Sequence, residues 1–259
     1  MGSGFARIAG VSARYLRDGR IGAALRGLGV LAERGLARLG PALGTARECC
    51  LCGWRGPFFL SAYYYDAYRP GVFCPRCGSM ERHRTLKLFL EGELKDWFAE
   101  RRRTVLDVAP IARGRDLFAF AAPRYVSLDL ASALAAGRGD LTATPFAAGS
   151  FDFVLCYHVL EHVPGERAAL GELHRLLRPG GLALLQVPWD PAEAHTVEYG
   201  APRESEEGHV RRYGRDVAER WASAGFETLF SDAALRLSPD IVRRHGLDRD
   251  VLMLVRRPG

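Results

Sequence analysis

The chain has 259 residues, 48% hydrophobic and 25% charged, a balance that suits one large globular domain or one domain plus a small module. No run approaches the roughly 18 consecutive apolar residues of a membrane span, and the first residues lack the apolar core and cleavage pattern of a secretory signal, so a cytoplasmic location is expected. The formal net charge of +6 is carried by residues 1–47, where eight arginines stand against Asp18 and Glu33; the neutral remainder argues against a body built to bind nucleic acid, which would spread basic residues over a folded face.

Residues 1–47 place Phe5, Ile8, Val11, Tyr15 and Leu16, then Ile21, Leu25, Leu28, Leu31, Leu36 and Leu39, at helical spacing. This predicts a basic extension of two or three short amphipathic helices interrupted by glycines. Such an extension either packs on the main domain or docks to a membrane surface, a partner or a nucleic acid.

Residues 48–80 form a separate small module. Four of the six cysteines fall in two C-x-x-C pairs, Cys49/Cys52 and Cys74/Cys77. Each pair is followed by glycine, which lets backbone amides point at the sulfurs, and two such knuckles supply the four thiolates of a closed structural zinc site. With four protein ligands the ion has no open position, so its expected role is to fold a segment too small to fold alone. Cys50 competes with Cys49 for the first position but gives the poorer C-x-C spacing, and Cys156, in an apolar run, reads as a buried thiol. Between the pairs, Phe58, Phe59, Tyr63, Tyr64, Tyr65, Tyr68 and Phe73 exceed what a small ribbon needs for its own core. They pack on a neighbour or line a pocket.

From residue 81 to 259 the pattern changes. A helix capped by Ser79 is predicted over "SMERHRTLKLFLEGELKDWFAE". Apolar runs then alternate with helical stretches: "TVLDVAP", "RYVSLDL", "FDFVLCY", "LALLQVP", "FETLFSD" and "DVLMLV". That alternation predicts an α/β domain with a parallel sheet and helices on both faces. Ligands of such sheets bind beyond the carboxyl ends of the strands, where strand order reverses. Asp107 ends the first strand, Asp129 the second, and Asp140 lies in "GDLTATPF"; an acid at the end of the second strand is placed to accept hydrogen bonds from ribose hydroxyls.

Two further stretches carry chemistry. "YHVLEHV" contains His158, Glu161 and His162 in the H-x-x-E-H order of an inverted zinc-protease motif. No third acidic ligand is recognisable and nothing else suggests peptide hydrolysis. The segment from Trp189 through "HVRRYG" is polar and acidic and reads as a long loop covering a substrate site, with His209, Arg211 and Tyr213 anchoring it or touching substrate and His195 solvated.

Over roughly residues 80–257 the blocks "VLDVAP", "SLDL", "GDLTATPFAAGSFDFVLCYHVLEHV" and "LLRPGGLALLQVP" resemble the class I S-adenosylmethionine-dependent methyltransferases of the type 11 kind. More narrowly, "CPRCGS", "ERHR" and "HVRRYG" resemble a bacterial subgroup that joins a four-cysteine zinc knuckle to this domain. The resemblance implies a Rossmann-like, mostly parallel seven-stranded sheet. It implies S-adenosylmethionine as cofactor, with Asp129 and Leu130 at the ribose, Asp140 and Leu141 at the adenine, and Asp107, Ala109 and Pro110 at the methionine end. In place of the family's glycine-rich turn stands "APIARG". Tyr157 and His158 then face cofactor and acceptor at the start of the helix after the fourth strand, His158, His162 and His209 are candidate bases, and Tyr157, Arg211 and Tyr213 are candidate substrate contacts. The implied reaction is methylation of a small-molecule acceptor of natural-product or sugar type. The alternatives are a ribosomal-RNA methyltransferase with a zinc module and a cofactor-binding fold that performs another reaction, such as cyclisation.

Overall fold

Thr104–Val108, buried along nearly its whole length, forms the strand from which the main sheet is built outward. The computed structural model describes residues 17, 21–64, 67–121 and 123–259. The chain divides into two compact units, one comprising the segment up to Leu88 together with Leu237–Arg249, the other Phe89–Arg236 with Asp250–Gly259. This division differs from the expected boundary at residue 81, because Leu237–Arg249 joins the cysteine-bearing unit.

In the second unit, β5 (Thr104–Val108), β6 (Arg124–Asp129), β7 (Gly137–Arg138), β8 (Phe151–Tyr157), β9 (Leu177–Gln186), β12 (Glu227–Thr228) and β13 (Leu254–Arg256) form one seven-stranded sheet. Its order is β12-β13-β9-β8-β5-β6-β7. The strands from β5 to β9 pair in parallel and β13 runs antiparallel to both β9 and β12. The β5–β8 pairing, beside β5–β6, is where strand order reverses, so a ligand crevice is expected at the carboxyl ends of these three strands. The helices are α1 (Ile21–Leu36), α2 (Glu81–Glu93), α3 (Lys95–Ala99) and α4 (Glu166–Leu176), and α4 buries Ala169, Leu170, Leu173 and Leu176 at helical spacing. These side chains join Leu106, Val154, Leu185, Trp221 and Val255 in the core. Cys156 lies in that core, and burial pushes its thiol well above the ordinary range, as an inert cysteine requires.

Two expectations change in this unit. The helix predicted from Ser79 to residue 100 is divided at Leu94 into α2 and α3. The polar segment after β9 is no loop: Val197–Arg203 (β10) and His209–Arg212 (β11) pair as an antiparallel hairpin.

In the first unit, β1 (Arg47–Glu48) pairs with β2 (Arg55–Gly56), and β3 (Leu60–Tyr64) with β4 (Ala67–Phe73). Helix α1 and the 3-10 segment Ala37–Leu43 belong to the described part of the basic extension; the predicted helical positions Phe5, Ile8, Val11, Tyr15 and Leu16 lie outside the described residues. Val30 of α1 is fully buried, whereas Ile21, Leu25, Leu28 and Leu36 are exposed. Glu33 ties α1 to β3 by accepting from the Ser61 N–H at 2.7 Å and its hydroxyl at 2.9 Å. Among the described residues no helix is long and apolar enough to cross a membrane.

Candidate active site and cysteine cluster

At the carboxyl ends of β5, β6 and β8 lies a cavity of about 250 Å³. Val108, Leu128, Leu130, Leu141, Val159 and Val163 give it apolar walls, and Asp129, Asp140, His158 and His162 supply the polar groups. The Asp129 Oδ1 accepts the Ala131 and Ser132 N–H groups at 2.7 and 2.6 Å, which fixes the carboxylate and leaves Oδ2 for a ligand. Asp140 Oδ1 accepts the Thr142 N–H and hydroxyl, each at 2.8 Å, and these bonds hold its carboxyl below the usual range.

Two residues on the cavity wall adopt left-handed backbone conformations although they carry side chains: Ala109 with φ 54° and His158 with φ 59°. Ala109 thus makes the bend that a glycine would make at lower cost, held by its N–H to the Leu128 carbonyl at 2.8 Å. Strain of about 1–2 kcal/mol per such residue is characteristic of sites where geometry serves binding. Asp107 and Pro110, expected beside the methionine end, are not on the cavity wall. Asp107 is buried beneath the turn and accepts the Tyr125 hydroxyl. Burial raises its carboxyl to about 7, against the opposing effect of that hydrogen bond. Gly114 covers the pair so closely that a Cβ there would lie 2.4 Å from the Asp107 carboxylate.

The H-x-x-E-H stretch is not helical. His158 sits in the turn after β8, Leu160–His162 forms a single 3-10 turn, and α4 begins only at Glu166. The expected start of a helix at the histidines is therefore corrected, and with it the i, i+4 pairing a protease site needs. His158 Nδ1 instead lies 3.2 Å from Glu161 Oε1. His162 packs edge-on against His209 of the hairpin, with ring centroids 4.8 Å apart. Burial lowers the His209 imidazolium below its ordinary value. Tyr157 ends β8 and meets the His158 ring edge-on at 4.9 Å.

Arg211 and Tyr213, expected to anchor the segment or touch substrate, have buried side chains committed to protein. Arg211 donates to the carbonyls of Leu160, Val163 and Pro164 at 2.6, 2.7 and 3.0 Å and pairs with Glu198. Tyr213 is fully buried and donates to Glu166 at 2.8 Å. Both anchor the hairpin rather than reaching the cavity, which corrects their placement as substrate contacts. His195 is exposed in the preceding loop.

In the other unit the four cysteines converge as their spacing predicts. Gly53 and Gly78, with φ 68° and 70°, close the two knuckles by donating to the carbonyls of Cys49 and Cys74 at 2.8 and 2.9 Å. Cys49 and Cys77 sulfurs are 3.7 Å apart, as are those of Cys52 and Cys74. A tetrahedron with metal–sulfur bonds of about 2.3 Å has edges of about 3.8 Å, so the cluster fits a zinc ion. Cys50 is turned away, its sulfur against the Arg84 carbonyl.

Sequence reasoning gave no role to Arg84. It is fully buried, donates to the carbonyls of Val72, Ser79, His245 and Gly246, and lies 4.0 Å over the Phe59 ring. It therefore binds the second knuckle to Leu237–Arg249, and only the "ERHR" block hinted at it. Of the aromatic segment, Phe59 packs in the core against Trp54, Tyr68 is partly exposed, and the side chains of Tyr63, Tyr64 and Tyr65 lie outside the described residues.

The strand order, the antiparallel β13 and the acids at the carboxyl edge define the Rossmann-like class I methyltransferase fold. Residues 94–185 match the family profile described as "Methyltransferase domain". An "uncharacterized methyltransferase" of Mycolicibacterium paratuberculosis is 33% identical over 100 residues, covering 37% of this chain and 39% of the relative. A "probable S-adenosylmethionine-dependent methyltransferase" of Mycolicibacterium smegmatis is 29% identical over 150 residues, covering 51% of this chain and 56% of the relative. The chain thus spans about 39% to 56% of the length of these relatives. Among solved structures, the Burkholderia thailandensis 1,6-didemethyltoxoflavin-N1-methyltransferase with bound 1,6-didemethyltoxoflavin and S-adenosylhomocysteine superposes with TM-score 0.48 and 19% identity, covering 68% of this chain and 78% of that one. The profile and the relatives support a class I S-adenosylmethionine-dependent methyltransferase domain over the segment they cover.

Proposed function

We propose that the protein transfers a methyl group from S-adenosylmethionine to a small-molecule acceptor, and that the cysteine cluster holds a structural zinc ion. The observation that carries the reading is the cavity at the reversal of strand order, with two positioned carboxylates and a left-handed Ala109 on its wall.

When bound, S-adenosylmethionine supplies an electrophilic methyl group on a sulfonium centre. The chain's own residues bind and orient. Asp129 accepts from the ribose hydroxyls, with Leu130 alongside. Asp140 and the Leu141 backbone receive the adenine, with apolar contact from Leu128, Leu141 and Val163. The bend at Ala109 shapes the methionine end, and Asp107 supports that turn from below through Tyr125 and Gly114 rather than by direct contact. Methyl transfer is an in-line displacement, so catalysis consists chiefly of holding the acceptor at near-attack geometry.

His158 is the residue placed to take a proton from an acceptor hydroxyl or amine. Its Nδ1 faces the Glu161 carboxylate, which selects the tautomer with Nε2 as acceptor. Tyr157 lies beside it as a candidate substrate contact. Cys49, Cys52, Cys74 and Cys77 hold the zinc ion, which leaves no protein-free position and gives it a folding role. The exposed apolar side chains of α1 support docking to a partner or membrane surface through the basic extension.

The test is product analysis with methyl-labelled S-adenosylmethionine and a panel of hydroxyl- and amine-bearing natural-product scaffolds and sugars. Methyl transfer predicts equimolar S-adenosylhomocysteine and labelled product. A converted acceptor without donor consumption supports cyclisation instead, and transfer to ribosomal RNA alone supports the nucleic-acid reading.

A further inference from the structure

Glu161 is 1% exposed, yet only one of its carboxylate oxygens is engaged. Oε1 faces His158 Nδ1 at 3.2 Å, while Oε2 is buried with no hydrogen-bond partner. An unpaired buried carboxylate oxygen is costly to keep from water, so its position calls for a partner. Two imidazoles lie near the same carboxylate. The Glu161 carboxylate and the ring nitrogens of His162 and His209 offer ligand atoms that all lie within 4.8 Å of one another.

The surrounding chain holds this trio in place. Arg211 pins the Leu160–Val163 turn through its carbonyls, which fixes Glu161 and His162. His209 is two residues before Arg211 on β11, so the two side chains project from the same face of the strand. The same hairpin strand thus both pins the turn and brings the second imidazole to it. Nothing in the protease motif's spacing required this, since His158 is not among the three.

We infer that Glu161, His162 and His209 form a binding site for a divalent first-row transition cation at the edge of the cavity, separate from the cysteine cluster. The donor set of two imidazoles and one carboxylate suits Zn²⁺, Fe²⁺, Co²⁺ or Ni²⁺, whereas Mg²⁺ and Ca²⁺ prefer an all-oxygen shell. Bond lengths of about 2.1 Å require ligand atoms within about 4.2 Å of each other, which small rotations of the two rings achieve from the 4.8 Å limit. His158 is the outer partner that orients the carboxylate, the usual arrangement around a bound metal. Three protein ligands leave at least one coordination position free. His162 also lines the cavity, so on the methyl-transfer reading that position serves an oxygen-bearing acceptor.

The experiment is titration of protein brought by dialysis to a single zinc equivalent, free of any polyhistidine tag, with Co²⁺ while recording visible and near-ultraviolet absorption. It needs no methyl donor and so stands apart from the methyl-transfer reading. The expected result is one saturable equivalent of Co²⁺ with ligand-field bands but no thiolate charge-transfer band. The midpoint weakens by about tenfold or more in His162→Ala and in His209→Ala, the scale that even an outer-sphere partner commands. His195→Ala, in an exposed loop, titrates as the parent does. His162 is exposed and His209 half-buried, so these variants retain the fold where Glu161→Gln, in a buried position, risks losing it. Absence of a saturable equivalent, or an unchanged midpoint in both histidine variants, overturns the inference.

Discussion

The cysteine knuckles and the cavity wall fill the left-handed backbone region with different residues. In the cysteine knuckles it is occupied by Gly53 and Gly78, and a Cβ at either would meet no neighbouring atom. On the cavity wall it is occupied by Ala109 and His158, which carry the Cβ and its cost. The knuckles have taken the cheapest residue for a fixed shape, as the proposed folding around an ion requires. On the cofactor reading, the cavity keeps strained residues where backbone geometry serves binding.

The largest effect follows from removing the ion expected in the knuckles. Stripping with a strong chelator, or Cys74→Ser, removes the zinc equivalent held by the four cysteines and melts the segment around the cluster; small zinc modules draw about 10–16 kcal/mol from their metal. Atomic emission and thermal melting together check this, and a zinc content in the variant equal to the parent's contradicts the four-cysteine assignment. Next is Arg84→Leu, which leaves the carbonyls of Val72, Ser79, His245 and Gly246 without their donor. A loss of about 3 kcal/mol or more in urea unfolding is expected.

On the cavity side the corresponding test is a pH dependence. Asp107 is raised to about 7 when folded, above its unfolded value near ~3.9. Its contribution is therefore fully present below pH ~4 and is lost as pH rises through about 7, because the buried carboxyl must ionise. Asp107→Asn removes that loss: relative to the parent its stability rises between pH 5 and pH 8 on the order of 2–3 kcal/mol, seen as a rising relative melting temperature. A parallel pair of melting curves across that range contradicts the buried carboxyl. The smallest effects form a mirrored pair. Gly53→Ala destabilises by about 1 kcal/mol, through its φ alone, whereas Ala109→Gly stabilises by up to about 1 kcal/mol. Melting temperatures that move in the same direction break the contrast between the two regions.

The parts legible in the sequence were those governed by local pattern. Buried strands announced themselves as apolar runs, and the knuckles by cysteine spacing with a following glycine. Asp129 and Asp140 were found because a strand's end places its next residue at the crevice. Long-range polar packing was not legible. Strand β7 has only Gly137 and Arg138 and no apolar signal. The hairpin strand β10 is almost wholly exposed, so no alternation marks it; its place is set by Arg211, Tyr213 and Arg220 reaching carbonyls and acids elsewhere in the chain. Arg211 and Tyr213 looked like substrate contacts because a polar residue in a polar stretch carries no sign of its burial. Arg84 was missed for that reason too.

The account rests on the cavity being a cofactor site, and calorimetric titration of the zinc-loaded protein with S-adenosylmethionine and S-adenosylhomocysteine tests this most directly. The predicted result is micromolar, one-to-one binding of both ligands, weakened at least about a hundredfold in Asp129→Ala, which deletes two hydrogen bonds to a charged acceptor. Folded protein that binds neither ligand, or an Asp129→Ala variant that binds both as the parent does, contradicts it.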